Sequence, residues 1–500
     1  MAEPPSIKFS PRAAKPLVTS VGSQWDFQEP SDLGILAQAI PRHFDAWKCN
    51  AQCAQCHPLV LCLDGPGTGK SRLLNEFPRL VNDVLKGHKN EEMLSMLQNA
   101  FTFNVAFEEQ SHADSFADAS LAIGTRMLYQ LQDLHPWETF RLNPANHLTP
   151  SSVFSRLGRL KGLPPHQLCV ILCVDNLDNL DLQSGNSASQ FHYGLGTLCD
   201  LVNASKCWVL ATASATSYKP VDNFFSMSSQ WHLHLQPAML ARPKIQGEDV
   251  FLGYGSDALV QLLVDDMGGF SRCLEVLYTV MQSIGQNGTF DFAKVLKRVV
   301  KALFEAYPAI LTSIDAMREA FLAAVARRVV YKSTMFGNAT LDQVISAGLI
   351  RLRDAFLQCP YVLYLMLTAD GNPWREFDSY VPVDSRQDIL PQQAWDEFYS
   401  KFRVLKSMAF APESPLLWGI VHSGARLGSG FDRFVREVPR KVELAPLGSC
   451  TCDLDSENRF LLYQNATGSS PRRSFLCLED GTRGFFTSLS LSCYRARFEI

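Results

Sequence analysis

Five hundred residues, 46% hydrophobic and 19% charged, suffice for about two to four packed domains and are unlike the composition of a disordered chain. A net charge of −4, from 46 basic and 50 acidic residues, excludes a global pull toward nucleic acid, so any such binding has to come from a local patch. No apolar run approaches membrane-spanning length and the first residues, Met-Ala-Glu-Pro-Pro-Ser, lack a basic-then-apolar leader, so the sequence predicts a soluble, intracellular protein without a signal peptide.

Residues 1–30 are rich in Pro, Ser and Lys and read as a disordered leader. Ser31 and Asp32 can cap a short amphipathic helix through Leu33, Leu36 and Ile40, with a second helix through Phe44 and Trp47. Fourteen cysteines are scattered, and Cys62, Cys169, Cys173 and Cys207 sit inside apolar runs, as expected of a reducing compartment. Cys49, Cys53, Cys56 and His57 have half the composition of a zinc site, yet no second ligand pair follows at a usual spacing. They read as unrelated thiols ahead of a strand.

Strands are predicted at residues 59–63, 101–107, 169–174, 207–213 and 231–235, with helices between them. That alternation argues for an α/β fold with a parallel sheet covered on both faces, over residues 31–240. Helical spacing then runs almost unbroken through residues 241–330, a helical lid. Residues 331–375 read as helix, turn and short strands, a winged-helix-like region. Residues 376–500 form a last segment without clear periodicity.

The stretch Leu59 to Arg72 carries the clearest chemistry: an apolar strand, a glycine-rich turn, then Lys70-Ser71 opening a helix. Gly65, Pro66, Gly67, Thr68 and Gly69 can turn backbone N–H groups toward an anion, and the helix N-terminus adds partial positive charge. Lys70 would reach the β- and γ-phosphates of ATP, the Ser71 hydroxyl would sit on Mg²⁺, and Arg72 completes the predicted nucleotide site. One residue departs from G-x-x-x-x-G-K-[ST]: Asp64 stands where the first glycine belongs.

A second apolar strand ends in Asp175, placed to hold the Mg²⁺ water shell beside Ser71. The next position, where a water-activating acid usually stands, is Asn176; Asp178 is the alternative base, and a helix cap is an equal reading of it. Thr212 or Ser214, near the end of the next strand, could place a hydroxyl near the γ-phosphate, although hydroxyls there more often satisfy backbone groups. Finally Gly268-Gly269 breaks a helix and puts Arg272 in the first turn of the next, against the helix dipole. A phosphate partner or a solvated surface arginine each explains it.

In that order, GPGTGKSR, CVILCVDNLD, VLATAS and MGGFSRCLEVL resemble the P-loop NTPase module of Crinkler effectors and retrotransposon hot spot proteins. Gly268, Gly269, Arg272, Leu274 and Glu275 match that group's GG-x-P-R-A-L-E turn, with Ser271 in place of Pro. Trp395-Asp-Glu-Phe398 and Val421-His-Ser-Gly-Ala425 resemble its later segments. The resemblance implies an AAA+/STAND-like ATPase coupled to a C-terminal effector, often a nuclease, with delivery into a host cell in secreted members. The first fifty residues do not look like the family's header. Asp453, Asp455 and Glu457 cluster without a following E-x-K, so the effector domain is expected to be missing or truncated. The expected partners are a nucleotide and either a protein or a second copy of the chain. Arg426, Arg433, Arg436, Arg440 and Lys441 could form a patch for nucleic acid, or simply a charged helix face.

Overall fold

The computed structural model describes residues 9–107, 118–132, 135–180, 187–254, 257–285 and 291–368, with the backbone of six short strands between 416 and 487; the side chains of 187–189 and 257–258 are not described. The chain forms two compact units: residues 1–250 with 269–275 and 345–349, and the remainder.

In the first unit, helix α1 (Gly34–Lys48) precedes strand β1 (Leu59–Leu63), and six residues separate β1 from α2 (Lys70–Val84). Then come α3 (Glu91–Gln98), β2 (Phe101–Ala106), α4 (Ala119–Gln130), α5 (Trp137–Arg141) and α6 (Pro150–Lys161). Strand β3 (Cys169–Asp175), α7 (Ser187–Ala204), β4 (Trp208–Ala215), α8 (Tyr218–Ser226) and β5 (His232–His234) complete the sheet, and a hairpin of β6 (Lys244–Ile245) and β7 (Glu248–Asp249) follows.

The five main strands run parallel in the order β2-β3-β4-β1-β5. Every residue of β1, β3 and β4 is buried, because helices cover both faces of the inner sheet. The outer strand β2 alternates buried and half-buried positions. On one face Leu36, Ile40 and Phe44 of α1 and Leu73, Leu74, Phe77 and Leu80 of α2 pack on Cys62, Cys173, Trp208 and Leu210. On the other, α4 packs against β2, α6 and α7. This is the predicted α/β P-loop NTPase architecture: the strand bearing the glycine loop lies between β4 and β5, and the acid-ending strand β3 lies two places from it, on the far side of β4.

Two expectations for the N-terminal region change. One 15-residue helix replaces the two predicted around Pro41, and its start at Leu33 has no side-chain cap. Leu36, Ile40 and Phe44 form one buried stripe across the proline, and burying that stripe outweighs the roughly 3 kcal/mol that an interior proline costs. The leader is also not disordered from Phe9 onward: Phe9 bridges Gln132, Ser10 N–H bonds to the Leu131 carbonyl at 2.9 Å, and Trp25 is buried.

In the second unit, α9 (Asp257–Asp266), most of α10 (Ser271–Ile284), α11 (Phe292–Ala306), α12 (Ala309–Thr312) and α13 (Ile314–Val325) form the helical stretch. Asp291 caps α11 by accepting the Lys294 N–H at 3.0 Å. Next come a hairpin of β8 (Met335–Phe336) and β9 (Ala339–Thr340), helix α14 (Leu341–Ala347), whose residues 345–347 count with the first unit, a second hairpin of β10 (Arg351–Arg353) and β11 (Phe356–Gln358), and α15 (Tyr361–Thr368). Helix α15 packs against α9, α11 and α13, with Tyr364 stacked on Phe321 at 5.8 Å.

Beyond it, β12 (Leu416–Leu417) pairs with β13 (Val435–Arg436). Strands β14 (Val442–Leu444), β15 (Leu461–Asn465), β16 (Arg473–Cys477) and β17 (Arg483–Thr487) form an antiparallel meander where the sequence showed no periodicity. Asp453, Asp455, Glu457, residues 395–398 and 421–425, and the side chains of Arg426, Arg433, Arg436, Arg440 and Lys441 lie outside the described residues. Among the described residues no helix is long and apolar enough to cross a membrane.

Candidate functional site

The turn between β1 and α2 is built for an anion. Gly67 has φ 73° and Gly69 has φ 100°, conformations open at low cost only to glycine. Gly69 is the N-cap of α2 and offers no side-chain cap, so the first N–H groups of that helix are left for another acceptor. Thr68 Oγ1 braces the loop by donating to the Gly65 carbonyl at 2.8 Å.

Lys70 is buried, and its ammonium donates to the Asp64 and Gly65 carbonyls at 2.7 and 2.8 Å. Burial lowers its pKa from the ordinary lysine value; nearby Asp64, Asp175 and Asp178 oppose the shift. Asp64, the departure in the motif, is fully buried, and its Oδ1 accepts the Gly65 N–H at 2.8 Å. The carboxylate therefore folds onto its own loop.

A cavity of about 900 Å³ opens in front of the loop, walled by Pro66 to Leu73, Asn176, Asp178, Asn179, Thr216, Ser217 and Arg272 among others. Pro66, Gly67, Thr68, Gly69, Lys70, Ser71 and Arg72 all border it, whereas Gly65 lies behind them. Arg72 is also engaged elsewhere: its guanidinium donates to the Ser23 and Trp25 carbonyls and pairs with Glu76 at 3.0 Å.

Asp175 ends β3, buried just behind the cavity wall, where its Oδ1 accepts the Ser214 hydroxyl at 2.5 Å. Ser214 Oγ in turn accepts the Asn176 N–H at 2.9 Å, and Asn176 is left-handed at φ 56°. Ser214 thus orients the strand-end acid and does not border the cavity. Thr212 lies further back in β4, buried and in register with Cys173 and Val60. The residues directly after β4 that reach the cavity are Thr216 and Ser217, before Pro220 of α8.

Asp178 is the second residue of a short 3₁₀ turn (Leu177–Leu180) and borders the cavity. Its carboxylate accepts the Thr216 N–H and, at 3.5 Å, the Ser217 N–H, bracing the chain just ahead of α8. Burial raises its pKa above the usual carboxylate value, and the Thr216 amide and Lys70 oppose the rise. The same carboxyl therefore faces the cavity and caps a turn.

The Gly268-Gly269 turn brings the start of α10 to the loop. Gly269 has φ 73°, its carbonyl accepts the Leu240 N–H at 2.9 Å, and a Cβ there would lie 2.8 Å from the Leu240 carbonyl oxygen. Arg272 donates its backbone N–H to the Gly67 carbonyl at 3.0 Å, and its exposed side chain borders the cavity. Sequence reading missed Asn179, which donates to the Phe107 carbonyl at 2.6 Å, and residues 18–28, which wall the cavity with no periodic signal. It also gave no reason for His57 to turn inward: its Nδ1 lies 2.7 Å from His43 Nδ1 in the core. Among the described residues no three His, Cys, Asp or Glu converge on a common metal position.

No family model matches the sequence. The chain is 31% identical over 446 residues to Crinkler effector protein 108 of Phytophthora sojae, an alignment covering 85% of this chain and 53% of that one. The chain thus spans about half the length of the curated relative it matches. Among solved structures, a Walker-type ATPase of Pyrococcus abyssi aligns with TM-score 0.40 and 14% identity, over 68% of this chain and 99% of that one. The ORC2 protein of Aeropyrum pernix aligns with TM-score 0.34 and 12% identity, over 70% and 98%. Likeness at these scores adds nothing to what the strand order and loop already establish. Along most of its own length, the chain is a homologue of a Crinkler effector, built on a P-loop ATPase fold.

Proposed function

We propose that the first unit binds ATP with Mg²⁺. The observation that carries this reading is the glycine turn at the uncapped N-terminus of α2, facing a cavity of about 900 Å³ beside a buried strand-end acid. In this reading the N–H groups of residues 67–71 and the Lys70 ammonium take the β- and γ-phosphates. Ser71 holds Mg²⁺ directly and Asp175 holds it through water, a donor set with few protein ligands that suits a hard cation completed by phosphate oxygens. Arg272 meets the γ-phosphate end.

Binding and turnover are separate claims. Hydrolysis needs a group to orient water, and Asp178 is the acid on the cavity wall. A second reading, in which the site closes on ATP without turning it over, is favoured by two observations. Asn176 occupies the position after the strand-end acid, and the Asp178 carboxylate already takes two backbone amides. In either case nucleotide state would gate a partner, a second copy or the segment beyond residue 376.

The test is ATP binding and steady-state hydrolysis for the native chain, Lys70→Ala and Asp178→Asn. Lys70→Ala is expected to weaken binding at least about tenfold, the loss of a charge-assisted phosphate contact. Turnover that Asp178→Asn abolishes supports the ATPase; binding with no turnover in either protein supports the gated module. A native chain that binds no nucleotide sinks both.

A further inference from the structure

The stretch 18–28 lines the cavity along much of its length: Val18, Ser20, Gly22, Trp25, Asp26, Phe27 and Gln28 all border it. It has almost no regular structure, only one 3₁₀ turn (Val21–Gln24), and is held by side-chain bonds to three separate elements. The Asp26 carboxylate accepts the Gln246 and Gly247 N–H groups at 2.9 and 2.7 Å in the β6–β7 turn, and Gln28 exchanges two bonds with the Ala241 backbone. Arg72, one residue past the Lys-Ser pair, donates to the carbonyls of Ser23 and Trp25.

The third tie is Glu275. Its Oε1 accepts the Ser20 hydroxyl at 2.5 Å and the Gly22 N–H at 3.1 Å. A Cβ at Gly22 would lie 2.2 Å from that oxygen, so a side chain there would push the Glu275 carboxylate out of its present place. Glu275 stands one turn of α10 from Arg272, whose backbone is bonded to Gly67 in the phosphate loop. The strap, the start of α10 and the loop therefore close a hydrogen-bonded ring around the cavity.

The phosphates need only the loop end of a cavity this large. The rest is bounded by the strap together with Pro237, Leu240 and Pro243, an apolar surface that suits a base and its ribose. Resting on the reading of this cavity as a nucleotide site, we propose that Glu275 is a positioning residue that holds strap 18–28 as the wall for the nucleoside end of the ligand. It acts through the strap and touches no phosphate.

The experiment compares ATP with inorganic tripolyphosphate, each titrated by calorimetry into the full-length native chain and into Glu275→Ala, Glu275→Gln and Ser20→Ala, with hydrogen exchange followed over residues 18–28. Glu275→Ala is expected to lose ATP affinity about tenfold while tripolyphosphate stays within about twofold, and the strap amides exchange faster. Glu275→Gln, which keeps an acceptor oxygen, restores ATP binding. Ser20→Ala, an exposed change that leaves folding intact, gives a smaller loss confined to ATP. Unchanged ATP affinity in Glu275→Ala overturns the proposal, and so does an equal loss for both ligands, the mark of a merely structural role. A native chain that binds neither ligand removes the nucleotide site itself, a different failure from a strap that does not matter.

Discussion

Ser214 shows how one hydroxyl can fix the place of an acid without bordering the cavity. It donates to Asp175 and accepts from the Asn176 amide, so its removal leaves a buried carboxylate and a half-buried N–H each short of a partner. Ser214→Ala is expected to cost about 1–3 kcal/mol in urea unfolding, whereas Thr212→Val, two residues back, leaves the Asp175 contact intact and any ATP turnover unchanged. The two hydroxyls point to the same face of β4 by strand periodicity, so sequence could offer both as candidates. Only the parallel register, which stops pairing β4 with β3 at Val174–Ala213, puts Ser214 beside Asp175.

His43 belongs to the same scale. Burial lowers its pKa from 6.5 to about 4; its Nε2 bonds to the Val209 carbonyl at 2.8 Å, and neighbouring His57 adds to the lowering. A depressed histidine pKa means that the unfolded chain binds the proton first. Its contribution is intact above about pH 6.5 and is lost as pH falls toward about 4, reaching roughly 3 kcal/mol. Unfolding free energies measured from pH 7 to 4.5 should fall more steeply in the native chain than in His43→Gln.

At the scale of elements, α4 is the most constrained helix of the first unit, buried from Ala122 to Leu128 without interruption. A Cβ on Gly124 would stand 1.9 Å from the Leu148 carbonyl oxygen and 2.7 Å from the Thr149 carbonyl carbon, just ahead of α6. Backbone cannot yield as a side chain does, so Gly124→Ala should destabilise by about 2–3 kcal/mol in a denaturant titration, against the small gain expected from helix propensity alone. Sequence signalled this helix by its apolar content but not the close approach at Gly124. The two helices expected through Ile40 and from Phe44 had the opposite fate: they form one, because Leu36, Ile40 and Phe44 bury as a single stripe across Pro41. Edge and inner strands were equally legible as apolar runs, yet which one lay outermost was not.

For the whole molecule, ligand binding to the folded state alone should appear as stability. ATP with Mg²⁺ at a hundred times its Kd is expected to add about 2.7 kcal/mol to unfolding of the native chain. A thermal-shift measurement should show that rise in Tm, and at most about half of it in Lys70→Ala at the same concentration.

By itself, the sequence determined the phosphate loop, the strand-end acid and the alternation of strands and helices. Each is written within a dozen neighbouring residues, where glycine conformations and the period of apolar burial leave little choice. Only the tertiary structure decided the strand order β2-β3-β4-β1-β5, the pairing of Ser214 with Asp175 and the turning of Asp64 away from the cavity. It also decided that residues 18–28, read locally as a disordered leader, would become a cavity wall. These outcomes depend on partners as far away as Glu275, 255 residues from Ser20, and no local pattern records a contact made over that distance.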